Sequence, residues 1–222
     1  SSDLAGAFGR AGACVRRLAG APRRRYRPIS PTKWSVARTA FLDLPAARKR
    51  ALLDVAGRRF AAHGLRGASY NAILTEAGVP KGVAYYYFED KLDLYATVLE
   101  DAWSELAPLF PRAEDALEPA LRTLYRAHLA ALRARPWLAD LARQTMPEEL
   151  APRFAPIAAV LAALWERMRT EGVRQDLDPD LLVAMVAGLD GAIDRWWATH
   201  PDADEAQADA AFDVLLSILR SR

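Results

Sequence analysis

Residues 78–91 read Gly-Val-Pro-Lys-Gly-Val-Ala-Tyr-Tyr-Tyr-Phe-Glu-Asp-Lys. Three successive tyrosines between two lysines suit neither a helix interior, where each phenol would need a partner, nor a half-buried strand, which alternates. They suit a surface that meets phosphate. Lysine and tyrosine donate hydrogen bonds to phosphate oxygens, and a glycine early in a helix removes the side chain that holds a backbone away from DNA. On this reading Lys81, Gly82, Tyr85, Tyr86 and Tyr87 face outward, Tyr87 doubling as a structural ring. Lys91 opens the next helix, where its charge and the nearby N–H groups can meet a phosphate together. The alternative that the rings merely cover a core stays open.

Other chemistries find less support. His63, His128 and His200 are far apart with no paired ligand spacing, so no metal is expected. No phosphate-cradling glycine motif is present, and the acidic residues of the C-terminal half fall on helix faces and caps. The expectation is a non-enzyme without a cofactor, although distant residues can converge in space. Cys14 is the single cysteine, so an internal disulfide is impossible, which fits a reducing compartment and points to the cytoplasm. No run reaches the roughly 18 apolar residues of a membrane span, and residues 1–25 lack the apolar core and cleavage site of a secretory signal.

The elements that must position this surface follow from periodicity. Residues 1–44 combine Gly, Pro and Arg without a sustained period and read as a disordered arm. From Pro45, the residues Leu52, Val55, Ala56 and Phe60 recur at helical spacing until His63-Gly64. Ser69 offers an N-cap oxygen to a short helix ending at Ala77-Gly78. Pro80 suits the first turn of a third short helix running to about Tyr87. Asp90 and Asp93 open a fourth helix, ended by Pro108 and Pro111. Helical patterns then cover Leu117–Ala134, Pro136–Thr145, Arg153–Glu171, Pro179–Thr199 and Ala203–Arg220, giving an all-α chain of about nine helices.

Two short helices joined by a glycine turn and packed on a longer one form a helix-turn-helix. Ile73, Ala77 and Val79 would face the first helix, with Val83, Ala84 and Phe88 also inward. Charge agrees with this organisation. Residues 1–42 carry nine basic side chains against one acidic, residues 43–95 eight against six, and the remainder thirteen against twenty-one. A basic N-terminal end on an acidic body suggests that this end meets phosphate.

The stretch FLDLPAARKRALLDVAGRRFAAHGLRGASYNAILTEAGVPKGVAYYYFEDKLDLY resembles the DNA-binding domain of the tetracycline-repressor (TetR) family over Phe41 to about Trp103. The phenylalanine, glycine, serine, isoleucine, Ala-Gly-Val, Lys-Gly, tyrosine, phenylalanine and lysine fall in the family's order without a gap. The resemblance implies that Ser69, Lys81, Tyr85, Tyr86 and Lys91 touch the DNA backbone and that Lys81 and Gly82 approach base edges. Tyr70, bulkier than the usual residue after the serine, belongs to the same candidate surface. Pro80 stands for a usual serine, Leu74 for alanine and Ala84 for leucine, which exchanges large for small between the two short helices. Val36 precedes the family-like segment, so residues 1–35 are either upstream of the natural start or a basic arm that follows DNA.

The resulting organisation is an arm over 1–44, a helix-turn-helix domain over 45–106 and a helical effector-binding and dimerisation domain over 107–222. In the last, Leu182, Val186, Leu189, Ile193 and Trp196 form one apolar stripe, and Ala208, Phe212, Leu215 and Leu219 another. The stripes pair either within the chain or with a second copy; the resemblance implies the second, a homodimer on a palindromic operator. It also implies a pocket for a small hydrophobic effector in the middle helices. Trp103, Phe110, His128 and Trp137 are candidates to line it, with Leu141, Met146, Phe154, Trp165 and Met168; each is equally compatible with ordinary core. The expected function is a cytoplasmic transcriptional regulator, a repressor released from double-stranded DNA by its effector. The competing reading is an all-α interaction protein whose helix-turn-helix no longer binds specific DNA.

Overall fold

The structure, a computed structural model, describes residues 39–220. The proposed start near Val36 and the arm up to residue 38 lie outside the described residues. Where the arm was expected to continue, residues 39–42 are helical and Phe41 is buried, its ring 5.0 Å from that of Phe88. Burying an aromatic ring offsets the entropy of ordering this short stretch. The described residues fall into two compact units that divide between Glu105 and Leu106.

In the first unit, α1 (Ala46–Gly67) buries Leu52, Leu53, Val55, Ala56 and Phe60 along one stripe. Its regular part ends at Gly64, whose φ of 67° is open to glycine at little cost. Ser69 Oγ then accepts from Ala72 N–H at 3.3 Å, capping α2 (Tyr70–Glu76). Gly78, at φ 65°, turns the chain so that Val79 N–H reaches Leu74 O at 2.8 Å. The next helix, α3, is Lys81–Ala84, shorter than the run to Tyr87 expected from sequence. Beyond it Tyr86 and Tyr87 donate to the carbonyls of Val83 and Ala84, both three residues back. The turn tightens because Phe88 has to swing into the core, where it is 1% exposed. At α4 (Lys91–Leu106), Asp90 Oδ1 accepts from Asp93 N–H at 2.8 Å and Asp93 Oδ2 from Glu89 N–H at 3.1 Å.

Ile73, Leu74, Ala84, Phe88, Leu94, Tyr95 and Val98 complete this core, and Phe60 meets Tyr95 edge-on at 5.0 Å. Leu74 and Ala84 are both fully buried, so the large-for-small exchange is accommodated between the two short helices. Arg59 with Glu76 and Arg50 with Glu105 add ion pairs at 2.6 Å on the surface, each worth about 1 kcal/mol or less.

The second unit contains α5 (Leu117–Ala134), α6 (Trp137–Leu141), α7 (Ala151–Thr170), α8 (Pro179–Thr199) and α9 (Glu205–Leu219). The helix α6 stops four residues before the expected Thr145; the chain is heading for Pro147, and the residue before a proline is steered out of helix. Asp178 caps α8, and Asp204 with Gln207 forms a capping box at α9. Among the described residues there is no strand beyond an isolated bridge between Val173 and Arg220. One core cluster joins Leu129, Leu132, Ala139, Trp197, Ala203 and Ala208. A second joins Val173, Leu182 and Leu219, with Trp165, Met168 and Val186 against it. No helix among the described residues is long and apolar enough to cross a membrane.

Candidate nucleic-acid interface

The buried side of α2 and α3 fixes what their other side presents. With Ala84 and Phe88 held in the core, Lys81, Gly82, Tyr85 and Tyr86 are left in solvent, Tyr85 59% and Tyr86 65% exposed. Such exposure is unusual for two adjacent rings and leaves both hydroxyls at the surface. A Cβ on Gly82 would meet nothing within 4 Å, so the chain's own packing does not demand a glycine there. Ser69, besides capping α2, is exposed at its N-terminal end.

Three of the sequence candidates sit differently. The Tyr70 hydroxyl is buried without a hydrogen-bond partner among the described residues. Its phenol is pushed up to about 12, by burial first and then by the charges of Asp93, Tyr85 and Asp90. An inward phenol cannot reach an outside phosphate, which removes Tyr70 from the exposed set. Tyr87 is half-buried, its ring edge-on to Phe41 at 6.4 Å and to Phe88 at 6.3 Å. Lys91 is also committed inside the unit: its Nζ donates to Ala68 O at 2.9 Å and Arg66 O at 3.2 Å, the carbonyls left open where α1 ends.

The expected effector residues are spread over both units. Trp103 belongs to the first unit and the others to the second. Trp165 and Met168 pack on the Leu182–Leu219 cluster, Leu141 and Phe154 are buried, and Met146 is exposed. Trp137 is half-buried beneath the Arg135 guanidinium at 5.9 Å, and Phe110 is half-buried.

The stripe assigned to a second copy is mostly spent inside the chain. Leu182, Phe212, Leu215 and Leu219 are buried, Val186 and Ile193 pack against the two clusters, and Leu189 is half-buried. Only Trp196 of that set is exposed, stacked on His200 at 4.2 Å and 11°. On α8 and α9 the large apolar side chains that face out are Leu181, Met185, Trp196 and Val214. With Gly188 and Ala192 between them, residues 181, 185, 188, 192 and 196 line the outer side of α8. A groove of about 420 Å³ between α8 and α9 is lined by Ala192, Trp196, Gln207 and Ala210.

Sequence distance hid one further group. His128 on α5 faces Asp194 on α8, Nε2 to Oδ1 at 2.8 Å, and Asp190 one turn earlier completes a cluster. Burial is the largest influence and disfavours the His128 cation, but the hydrogen bond to Asp194 and the charges of Asp194 and Asp190 together outweigh it and hold the imidazole above its ordinary range. Asp190 is pushed up to about 6, by burial first and by the Asp194 charge next. The i, i+4 carboxylates were visible in the sequence; their histidine, 66 residues from Asp194, was not.

The comparisons with known proteins fit this geometry. Residues 52–98 match the pattern of bacterial regulatory proteins of the tetR family. An HTH-type transcriptional repressor of Streptomyces coelicolor is 32% identical over 155 residues, covering 67% of this chain and 80% of that protein. An uncharacterised HTH-type transcriptional regulator of Mycobacterium tuberculosis is 31% identical over 144 residues, 58% of this chain and 74% of its own length. A solved tetR family regulator from Shewanella sp. PV-4 superposes with a TM-score of 0.59 at 22% identity, covering 79% of this chain and 99% of its own. These relatives are transcriptional regulators, not enzymes, and this chain belongs with them to the tetR family of helix-turn-helix regulators.

Proposed function

We propose that this regulator is a repressor that binds a two-fold symmetric operator as a homodimer, through the outward face of α3 and the tyrosine turn that follows it. The observation that carries the reading is the joint exposure of Lys81, Tyr85 and Tyr86 beside Gly82. This face offers an ammonium and two phenols to phosphate, and a glycine backbone that can approach a base edge. Ser69 joins them as a further phosphate donor. Dimerisation uses the outer side of α8 with α9, where Leu181, Met185, Trp196 and Val214 are exposed. A second copy presents the same apolar surface, and a two-fold interface is self-complementary. A small hydrophobic effector bound by the second unit lowers operator affinity, a coupling between two sites through two conformations.

Selection from random duplex DNA by the purified full chain tests the reading, with Lys81→Ala/Tyr85→Phe protein as the control. Enrichment of a palindrome that the control does not enrich is the expected result. A folded dimer that enriches nothing would favour the interaction-protein reading instead.

A further inference from the structure

We propose that His128, Asp190 and Asp194 form a binding site for a divalent transition ion of the zinc type, bridging α5 and α8. The ligand set comes from two helices. Asp190 and Asp194 are four residues apart on α8 and project from one side of it, while His128 comes from α5. One donor atom of each lies within 4.8 Å of the others. Bonds of about 2.0–2.2 Å to imidazole nitrogen and carboxylate oxygen place tetrahedral ligands roughly 3.4 Å apart. The His128–Asp194 separation of 2.8 Å is slightly short of that edge and the largest is at most 4.8 Å. Rotation of two aspartate side chains closes the difference without moving either helix.

Charge gives the second argument. Asp194 is 7% exposed and Asp190 and His128 are half-buried. Two carboxylates facing one imidazole leave a net negative charge even when the ring is protonated, and an uncompensated charge away from water is costly. A neutral imidazole, two carboxylates and a divalent ion sum to zero. Binding releases the imidazole proton and replaces the His128–Asp194 hydrogen bond by two bonds to the metal.

A third observation is independent of the ligands. The Tyr125 hydroxyl, one turn before His128 on α5, is buried without a partner among the described residues. Its ring centroid lies 6.4 Å from that of His128, and its acidity is suppressed by burial and then by the charges of Asp190 and Asp194. Three protein ligands leave at least one coordination position for water, and water is the acceptor that this phenol lacks. Mixed nitrogen and carboxylate donors select zinc-like ions over magnesium, which prefers all-oxygen octahedral surroundings.

The test uses the full chain, freed of any affinity tag and dialysed against chelator. Titration with Co²⁺ is expected to produce visible d–d absorption at one equivalent per chain, displaced by Zn²⁺ and not by excess Mg²⁺. Saturating Zn²⁺ should raise the melting temperature by about 5 °C or more. Asp190→Asn, which keeps the His128–Asp194 pair, should weaken Co²⁺ binding by at least about 100-fold without lowering the metal-free melting temperature. His128→Gln should do the same to binding. Absent absorption, or binding undiminished in both folded variants, would overturn the proposal and leave a structural ion pair. Neither readout involves DNA, so this result stands apart from the proposed operator binding.

Discussion

Two surfaces of this chain are equally unusual in their exposure and opposite in their chemistry. In the turn that follows α3, Tyr85 and Tyr86 lie open to solvent with Lys81 of α3 beside them. On α8, Leu181, Met185 and Trp196 are open to a similar degree and carry almost no hydrogen-bonding capacity. Both are aromatic-bearing surfaces whose other side is core, so burial does not distinguish them. Donor groups do. The first face can satisfy a partner rich in acceptors, as a phosphate backbone is; the second gains only by being removed from water against another apolar face. On this basis the proposed reading assigns the first face to nucleic acid and the second to another copy of the chain.

The comparison is sharpest where the inner and outer sides of the α8–α9 pair are changed separately. Phe212 is on the inner side, 5.6 Å from the Tyr125 ring and with the Arg122 guanidinium 4.6 Å above it. Phe212→Ala should cost about 3–4 kcal/mol of stability and lower the melting temperature by roughly 10 °C, read by circular dichroism. An interface residue exposed in the monomer would not behave so. On the outer side, Met185→Glu/Trp196→Glu should leave the monomer folded. It should weaken dimerisation by at least about 100-fold, because each interface would have to desolvate four carboxylates. Sedimentation at micromolar concentration distinguishes the outcomes. A double variant that stays dimeric would place the second copy on another surface.

How much of this was legible in the sequence depended on the distance over which each decision is made. Gly64, Ser69, Gly78, Pro80 and Asp90 punctuate the first unit, and each acts on the turn next to it; short-range rules therefore set the helices that carry Lys81 and Tyr85. The inward turn of Tyr70 was not readable, since α2 is short and its sides are chosen by what packs on them. The hydrogen bonds of Lys91 were unreadable for a related reason: the carbonyls it caps lie 23 and 25 residues back. In α8 the stripe through Leu182, Val186 and Ile193 and the stripe through Leu181, Met185 and Trp196 are both apolar. Periodicity alone cannot say which one the chain buries and which it leaves for a partner.

The smallest expected effects fall within the first unit, where they separate DNA binding from structural support. Tyr85→Phe removes one exposed hydroxyl that bonds nothing else in the described residues, so the fold should not register it. Operator affinity should fall by about five- to thirtyfold per dimer, from roughly 0.5–1 kcal/mol at each half-site, and equally for unrelated duplexes, since a phosphate contact carries no base information. Lys91→Met keeps the aliphatic stem and deletes the ammonium that joins the end of α1 to α4. It should cost about 1–2 kcal/mol of stability, and any drop in DNA affinity should follow from that weakened support. Lys81→Met is the matched control: the same charge is removed from an exposed position, so stability holds while the salt dependence of DNA binding becomes shallower by about one unit for each phosphate that the ammonium no longer neutralises. If Lys91→Met instead reproduced the shallower slope with an unchanged melting temperature, the ammonium would be leaving its carbonyls for phosphate on binding, and α1 would be capped only in the DNA-free protein.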